Sequence, residues 1–389
     1  MTKKIFYEDS MIRSFEGTVL SCEKAEEGYR IELDRTAFFP EGGGQYGDTG
    51  KFLIETENRK ISIKDTQETE ERIYHYTDQP VEVGTRVTGI LNFEERFSKM
   101  QQHTGEHIVS GLVNSHFGYN NVGFHLGRDS VTMDYDGPLT KEQIRSIERE
   151  ANEIVAKDLP IEVLYPDPET LASMTYRSKI EIEGQVRIVR IPGCDTCACC
   201  APHVKSTGSV GIIKITNAIR YKGGVRLHLL CGLLALEDYN RKEAGVMEIS
   251  NMLSAKQEEI VSAVVRLQDE ITSCKEKIKR LQEQYLRGEL AKINNEKEKV
   301  LLFEEELDPA AVRHFINTAM EQTGGICGAF VGNDETGYRY VIGTKNRDIN
   351  KIAKELNQTC HGKGGGKPPM VQGSLSGKRI EIESFFEKI

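Results

Sequence analysis

Two pairs of side chains that bind metals constrain this chain more than any other feature: His103 and His107 in Gln101-Gln102-His103-Thr104-Gly105-Glu106-His107, and Cys199 and His203 in Cys199-Cys200-Ala201-Pro202-His203. Each pair has i,i+4 spacing, which a helix brings onto one face through its 3.6-residue repeat. Three imidazoles and one thiolate make a set that a tetrahedral Zn²⁺ ion accepts, provided the fold joins two segments roughly a hundred residues apart. The crowding of Cys194, Cys197, Cys199 and Cys200 leaves an all-thiolate site open as well, because Cys-x₂-Cys is itself a zinc spacing. Only Cys199 stands four residues before His203. In the zinc-protease pattern His-Glu-x-x-His the general-base Glu directly follows the first His, where this chain has Thr104, so the segment does not read as that protease motif.

The 389 residues suffice for two to four domains with adequate cores, and no disulfide or metal is needed merely to fold them. No apolar run reaches the roughly 18 residues of a membrane span, and the N-terminus has no apolar signal core, so a cytoplasmic protein with no membrane contact is expected. The net charge of −9 argues against indiscriminate nucleic-acid binding, yet its distribution is uneven. Between Thr196 and Leu236 no acidic residue accompanies Lys205, Lys214, Arg220, Lys222 and Arg226. From Gly337 to Arg379 nine Lys or Arg, among them Lys363, Lys367, Lys378 and Arg379, face only Asp348 and Glu355. Two local basic regions on an acidic chain suit a specific, salt-sensitive contact with a polyanion such as RNA.

Period-two alternation and turn residues predict an all-β module over residues 1–95, a small barrel or sandwich with strands near 17–22, 29–34, 51–54, 60–63 and 86–91. Helical periodicity starting at Phe93 puts His103 and His107 on a helix. Strands at 130–134, 186–190 and 224–229 and a helix over 141–157 make 96–238 an α+β domain. Over 239–300 Gly and Pro nearly vanish, while Leu253, Ile260, Leu267, Cys274 and Leu281 recur every seven residues, which predicts one long helix with a heptad seam. Residues 301–389 read as a small α/β unit, with strands at 328–331 and 338–342, a helix capped at Asp348 and a glycine run at 362–366.

The segment Arg35-Thr36-Ala37-Phe38-Phe39-Pro40-Glu41-Gly42-Gly43-Gly44-Gln45-Tyr46-Gly47-Asp48, followed in order by the two ligand pairs, resembles the editing domain of alanyl-tRNA synthetases and the free-standing alanyl-tRNA editing (AlaX) proteins. The glycine run Gly364-Gly365-Gly366-Lys367-Pro368 resembles the C-terminal domain of those synthetases, a module shared with DHH-type phosphoesterases. Neither the Asp-His-His catalytic domain of the phosphoesterases nor the class II aminoacylation domain is present in the sequence. The resemblance covers nearly the whole chain. It implies a barrel, an editing domain of the threonyl/alanyl-tRNA synthetase second-additional-domain type, a helical linker and a C-terminal glycine-rich domain for tRNA binding or dimerisation.

The activity implied is hydrolysis of mischarged tRNA(Ala), chiefly Ser-tRNA(Ala) and also Gly-tRNA(Ala), at a site with one zinc per chain held by His103, His107, Cys199 and His203. Within that resemblance Thr36 contacts the serine hydroxyl, Gln45 lines the pocket, and His125 of Gly123-Phe124-His125-Leu126-Gly127 matches another pocket segment. Read from its neighbours alone, His125 is equally a strand histidine held in a core. The family's usual Cys-Gly-Gly-Thr-His reads Cys-Cys-Ala-Pro-His here. Lys and Arg of the 205–226 strip would hold the acceptor stem, and a homodimer through the linker or the C-terminal domain is a further expectation. Two rival readings remain, a non-catalytic RNA-binding protein with a structural zinc and a phosphodiesterase.

Overall fold

The computed structural model describes residues 2–127, 131–178, 184–294 and 298–389. The chain forms two compact units, Met1–Val246 and Met247–Ile389. The first opens with β1 (Lys3–Lys4), β2 (Ser14–Lys24), β3 (Tyr29–Leu33), β4 (Arg35–Thr36), β5 (Gly50–Ile54), β6 (Arg59–Thr69), β7 (Arg72–Thr77) and β8 (Arg86–Leu91). Strands β1 and β4 pair in parallel, and the other six close a barrel in the order β2-β3-β7-β6-β5-β8. Alternation fills it: Ile61 and Ile63 of β6 point inward with Ile31, Leu33, Phe52 and Val87, while Lys60, Ser62 and Lys64 face solvent. Strand β7 has no counterpart among the predicted strands, because Tyr74-His75-Tyr76 breaks the apolar alternation. Its His75 is fully buried and satisfied on both ring nitrogens, by Ile31 O at 2.9 Å and Thr36 Oγ1 at 2.8 Å.

Helix α1 (Phe93–Phe117) carries Glu94 and Glu95 in its first turn and stops at Gly118, whose φ of 70° lets its N–H return to Asn114 O. Residues 99–113 are buried without interruption, so α1 is a central helix rather than an amphipathic surface one. Two glycines allow that. A Cβ on Gly105 would lie 2.3 Å from Cys231 Sγ, and one on Gly111 would lie 2.5 Å from Cys194 O.

Around α1 are β9 (Asn121–Leu126), β10 (Val131–Tyr135), α2 (Lys141–Ala156), β11 (Glu162–Leu164), α3 (Pro168–Ser173), β12 (Ile188–Ile191), β13 (Asp195–Ala198), β14 (Ile213–Tyr221) and β15 (Gly224–Cys231). They form a four-stranded sheet, β14-β15-β10-β9, and a three-stranded one, β11-β12-β13. The strand expected from Ser130 begins at Val131; Ser130 lies outside the described residues.

Helix α4 (Gly232–Leu253) follows, then α5 (Ile260–Ala291). The single long helix expected over 239–300 is therefore two. Ser254 takes a left-handed φ of 49°, and Ser250 closes the break by bonding its hydroxyl to Ala255 O. Residues 295–297 of that stretch lie outside the described residues. On α5, Ala263, Leu286 and Leu290 are buried, but Leu267 and Leu281 of the seam are exposed, as are Ile271 and Ile278, which interleave with it at the same seven-residue spacing.

The second unit is completed by β16 (Lys299–Glu304), α6 (Pro309–Thr323), β17 (Ile326–Asn333), β18 (Gly337–Gly343), α7 (Ile349–Thr359), β19 (Lys363–Lys367), β20 (Met370–Leu375) and α8 (Arg379–Lys388), with sheet order β16-β17-β18-β20-β19. Alternate residues of β17 enter two cores: Ile326 and Phe330 pack with α7 and α8, Cys327, Ala329 and Val331 with α6 and the end of α5. The glycine run is the edge strand β19, exposed throughout. Gly364 is there because a Cβ would meet Tyr340 Oη at 2.3 Å.

Candidate metal centre

Helix α1 presents His103 and His107 one turn apart, both buried. Cys199 and His203 come from the loop leaving the β12–β13 hairpin, not from a helix as the i,i+4 spacing suggests. Pro202 and the extended run out of β13 forbid a helical turn, so the loop closes by other means. Arg187 Nη1 donates to Cys199 O at 2.7 Å and to Ala201 O at 3.0 Å, and Ser10 Oγ donates to His203 O at 2.8 Å. Ala201 is buried against Phe6, Phe39 and Ile73. The result brings one ligand atom from each of His103, His107, Cys199 and His203 within 4.8 Å of one another.

Each imidazole turns the same nitrogen inward. Nδ1–H of His103 donates to Gln45 Oε1 at 3.3 Å and that of His107 to Asp195 Oδ2 at 2.9 Å, and Nδ1 of His203 shares a hydrogen bond with Thr104 Oγ1 at 2.9 Å. The Nε2 atoms are thereby turned toward the thiol and are the positions a metal would take; those of His103 and His203 lie 3.6 and 3.4 Å from Cys199 Sγ. Outer partners that fix tautomer and ring orientation are what metal-bound histidines ordinarily have. The donor set and its outer partners therefore fit a divalent ion of the zinc type.

The charges agree. Burial opposes ionisation of Cys199, but His103, His203 and the hydrogen bonds from the imidazoles outweigh it and hold this thiol well below its usual value. Burial pushes His203 down to about 3, keeping it a neutral donor. The other thiols go the opposite way: burial pushes Cys194 up to about 12 and Cys200 up to about 11, and raises Cys197. An all-thiolate site is not assembled among the described residues; Cys197 instead lies with His107 and Asp195.

The glycine-rich loop is the neighbouring wall. Gly43 and Gly44 have φ of 61° and 81°, and a Cβ on Gly44 would lie 2.6 Å from the ring of Phe124. Gln45 is fully buried; with its carbonyl oxygen taken by His103, its amide Nε2 has no hydrogen-bond partner among the described residues. Phe124 packs on His103, ring centres 4.7 Å apart. His125 does not join them: strand alternation turns it to the opposite, exposed face, and Phe124 is the side chain of that segment that meets the cluster. Thr36 has no exposed surface, and its hydroxyl partners are His75 and the backbone N–H of Phe38 rather than any residue of the cluster.

Sequence reasoning missed Asp195, Arg177 and Arg187, which orient ligands or their loop; isolated Arg and Asp residues carry no spacing signal. It also missed that the 205–226 strip is largely neutralised. Lys205 pairs with Asp9, Lys214 with Glu148 and Arg226 with Asp134, carboxylates that come from distant segments. Arg220 and Lys222 remain exposed with Tyr221 at the β14–β15 tip, with no ion pair among the described residues. In the second unit Lys363, Lys367 and Lys378 are exposed, and Arg379 pairs with Glu383. No described helix is long and apolar enough to cross a membrane.

Residues 4–95 match the family tRNA synthetases class II (A), 186–228 match the threonyl and alanyl tRNA synthetase second additional domain, and 296–389 match the DHHA1 domain. Alanyl-tRNA editing protein AlaX-L of Pyrococcus horikoshii is 26% identical over 98% of this chain and 96% of its own length. Alanine–tRNA ligases are also similar: that of Saccharolobus islandicus is 33% identical over 69% of this chain, that of Ignicoccus hospitalis 29% over 94%. The chain spans only 31% and 40% of those two ligases. The crystal structure of the C-Ala domain from Aquifex aeolicus alanyl-tRNA synthetase is 18% identical over 23% of this chain and 87% of that chain, with a TM-score of 0.22.

Proposed function

We infer that this AlaX-like chain, similar over 98% of its length to alanyl-tRNA editing protein AlaX-L, is a cytoplasmic hydrolase that removes misattached amino acids, chiefly serine and also glycine, from tRNA(Ala). The observation that carries the reading is the Cys199–His103–His107–His203 cluster lying beside a glycine loop whose Gln45 holds out an unpaired buried amide. A Zn²⁺ ion bound there, one per chain, would supply electrostatic stabilisation to the ester being cleaved. Gln45 Nε2 is the chain's own donor for charge that develops on the carbonyl oxygen, in a site already shielded from water. His103 keeps that amide turned outward by occupying its oxygen. Phe124 closes the side of the pocket against His103.

Selection of serine is assigned to Thr36. Burial pushes His75 down to about 4, so it is neutral, and its Nδ1–H faces Ile31 O. Its Nε2 must then accept the Thr36 proton, and Phe38 N–H takes one Thr36 lone pair. What remains is a single acceptor, matched to a serine hydroxyl and to no alanine methyl. Reaching it requires the 36–38 wall to open around the bound ester. Arg220 and Lys222, exposed and without an ion pair among the described residues, are assigned to the tRNA backbone, together with the exposed Lys363, Lys367 and Lys378 of the second unit. A second copy of this chain is the occupant we assign to the exposed heptad seam of α5, whose seven-residue repeat is that of a helix pair.

Single-turnover hydrolysis of tRNA(Ala) charged with serine, glycine or alanine tests the assignment; serine should be released fastest and alanine slowest. The closed four-ligand set also suits a purely structural zinc in a non-catalytic RNA-binding protein. Tight tRNA binding with an intact seryl ester would establish that second reading instead.

A further inference from the structure

We propose that Asp195, clamped by Arg177, is the positioning residue that sets the tautomer and ring orientation of His107, and that it is not itself a metal ligand. The inference rests on reading the four-residue cluster as a metal centre. Arg177 engages Asp195 side-on, Nε to Oδ1 at 2.8 Å and Nη2 to Oδ2 at 2.9 Å, while Oδ2 also accepts His107 Nδ1–H at 2.9 Å. A planar guanidinium on both oxygens leaves the carboxylate no rotation, so Oδ2 points one way only. The Asp195 side chain is 2% exposed and that of Arg177 15%.

Arg177 is also stitched to the strand that delivers the thiol. Its N–H donates to Thr196 O at 2.8 Å, and its carbonyl accepts from Ala198 N–H at 2.9 Å. One residue thus aims the partner of His107 on α1 and holds the strand that runs into Cys199. His107, Asp195 and Cys197 are close enough to suggest a second metal position. That position would require Nδ1 of His107 to give up its hydrogen and Asp195 to abandon Arg177, leaving a mostly buried guanidinium alone. Orientation, not ligation, uses every one of these hydrogen bonds.

The test uses the whole chain of 389 residues, with Asp195→Asn, which preserves shape, and Arg177→Gln, at a less buried position, should Asp195→Asn fail to fold. Zn²⁺ affinity is measured by competition with a chromophoric chelator, and the His107 tautomer of the metal-free protein by long-range ¹H–¹⁵N NMR at a pH high enough to leave the ring neutral, because, against the effect of burial, Asp195 and the nearby thiols hold it protonated well above its usual range. We expect Asp195→Asn to weaken Zn²⁺ binding by about 10–100-fold and to remove the strict Nδ1–H form of His107, with Arg177→Gln changing both in the same direction and less. Unchanged affinity and tautomer in both variants overturn the proposal. Two Zn²⁺ per wild-type chain, one of them lost in Asp195→Asn, overturn it as well by making Asp195 a ligand. If wild-type protein binds no Zn²⁺, the metal-centre reading fails separately, and the tautomer measurement still decides what Asp195 does.

Discussion

Arg96 Nε donates to Asp48 Oδ2 at 2.7 Å, joining the first turn of α1 to the end of the glycine-rich loop with both side chains out of solvent. Arg96 also reaches Ala37 O, and Lys99 reaches Gly47 O, each within 2.8 Å. The helix with two candidate ligands and the loop with Gln45 are therefore one piece. Asp48→Ala leaves the guanidinium buried without its counter-charge and should cost about 3–5 kcal/mol, read as a lower urea midpoint. A loss under about 1 kcal/mol would mean that water reaches Arg96.

The ligand set predicts which thiol matters. His103→Ala and Cys199→Ala should each abolish stoichiometric zinc and seryl-tRNA hydrolysis, whereas Cys194→Ala should retain the metal. Elemental analysis of the purified variants decides it, and full occupancy in Cys199→Ala would move the site to another cysteine.

Gln45→Glu keeps an oxygen for His103 and deletes the amide donor. At saturating zinc, kcat should fall by about 100–1,000-fold, as when one donor to a developing oxyanion is lost, with little change in KM. A kcat within twofold of wild type would remove Gln45 from the carbonyl.

Thr36→Val leaves Phe38 N–H and His75 Nε2 without a partner. We expect a stability loss of about 1–3 kcal/mol and a drop of about 10–100-fold in seryl ester hydrolysis, with alanyl ester hydrolysis unchanged or raised. Equal losses on both substrates would make Thr36 part of the barrel wall only.

Burial lowers His75 from 6.5 to about 4, so the folded state releases its proton more readily than the unfolded chain does. Above about pH 6.5 both states are neutral and the cost is nil; as pH falls from there to about 4 the unfolded state gains a proton first, and stability drops by roughly 3 kcal/mol in all. His75→Gln lacks this step. Unfolding measured at a series of pH values should show the wild type losing stability relative to the variant across that window and running parallel below it; parallel curves throughout would contradict a buried neutral His75.

What the sequence made legible was whatever depends on spacing and local periodicity. The helix under His103 and His107 could be read because its pattern is continuous from Phe93 into the buried stretch. The Asp348 cap was equally local. What it could not carry was which face a strand shows and which partners arrive from afar. His125 and Phe124 are adjacent, and only the position of α1 tells which of them looks inward. The strip from Lys205 to Arg226 looked uniformly positive because Asp9, Asp134 and Glu148 lie outside it. The heptads ran through Ser254 without notice, since a single left-handed residue leaves the seven-residue count intact.

Cys199 stands 96 residues from His103, and neither belongs to an element that could hold the other in place alone. An ion shared between them is, in polymer terms, a crosslink across a loop of about a hundred residues, whose closure costs an unfolded chain roughly 4–5 kcal/mol of entropy when a covalent bridge imposes it. Catalyst and clasp would then be the same atom. Withdrawing it should loosen the hairpin from the central helix well before either melts, so that protection of the Cys194–His203 backbone against hydrogen exchange becomes a measure of how much metal is present.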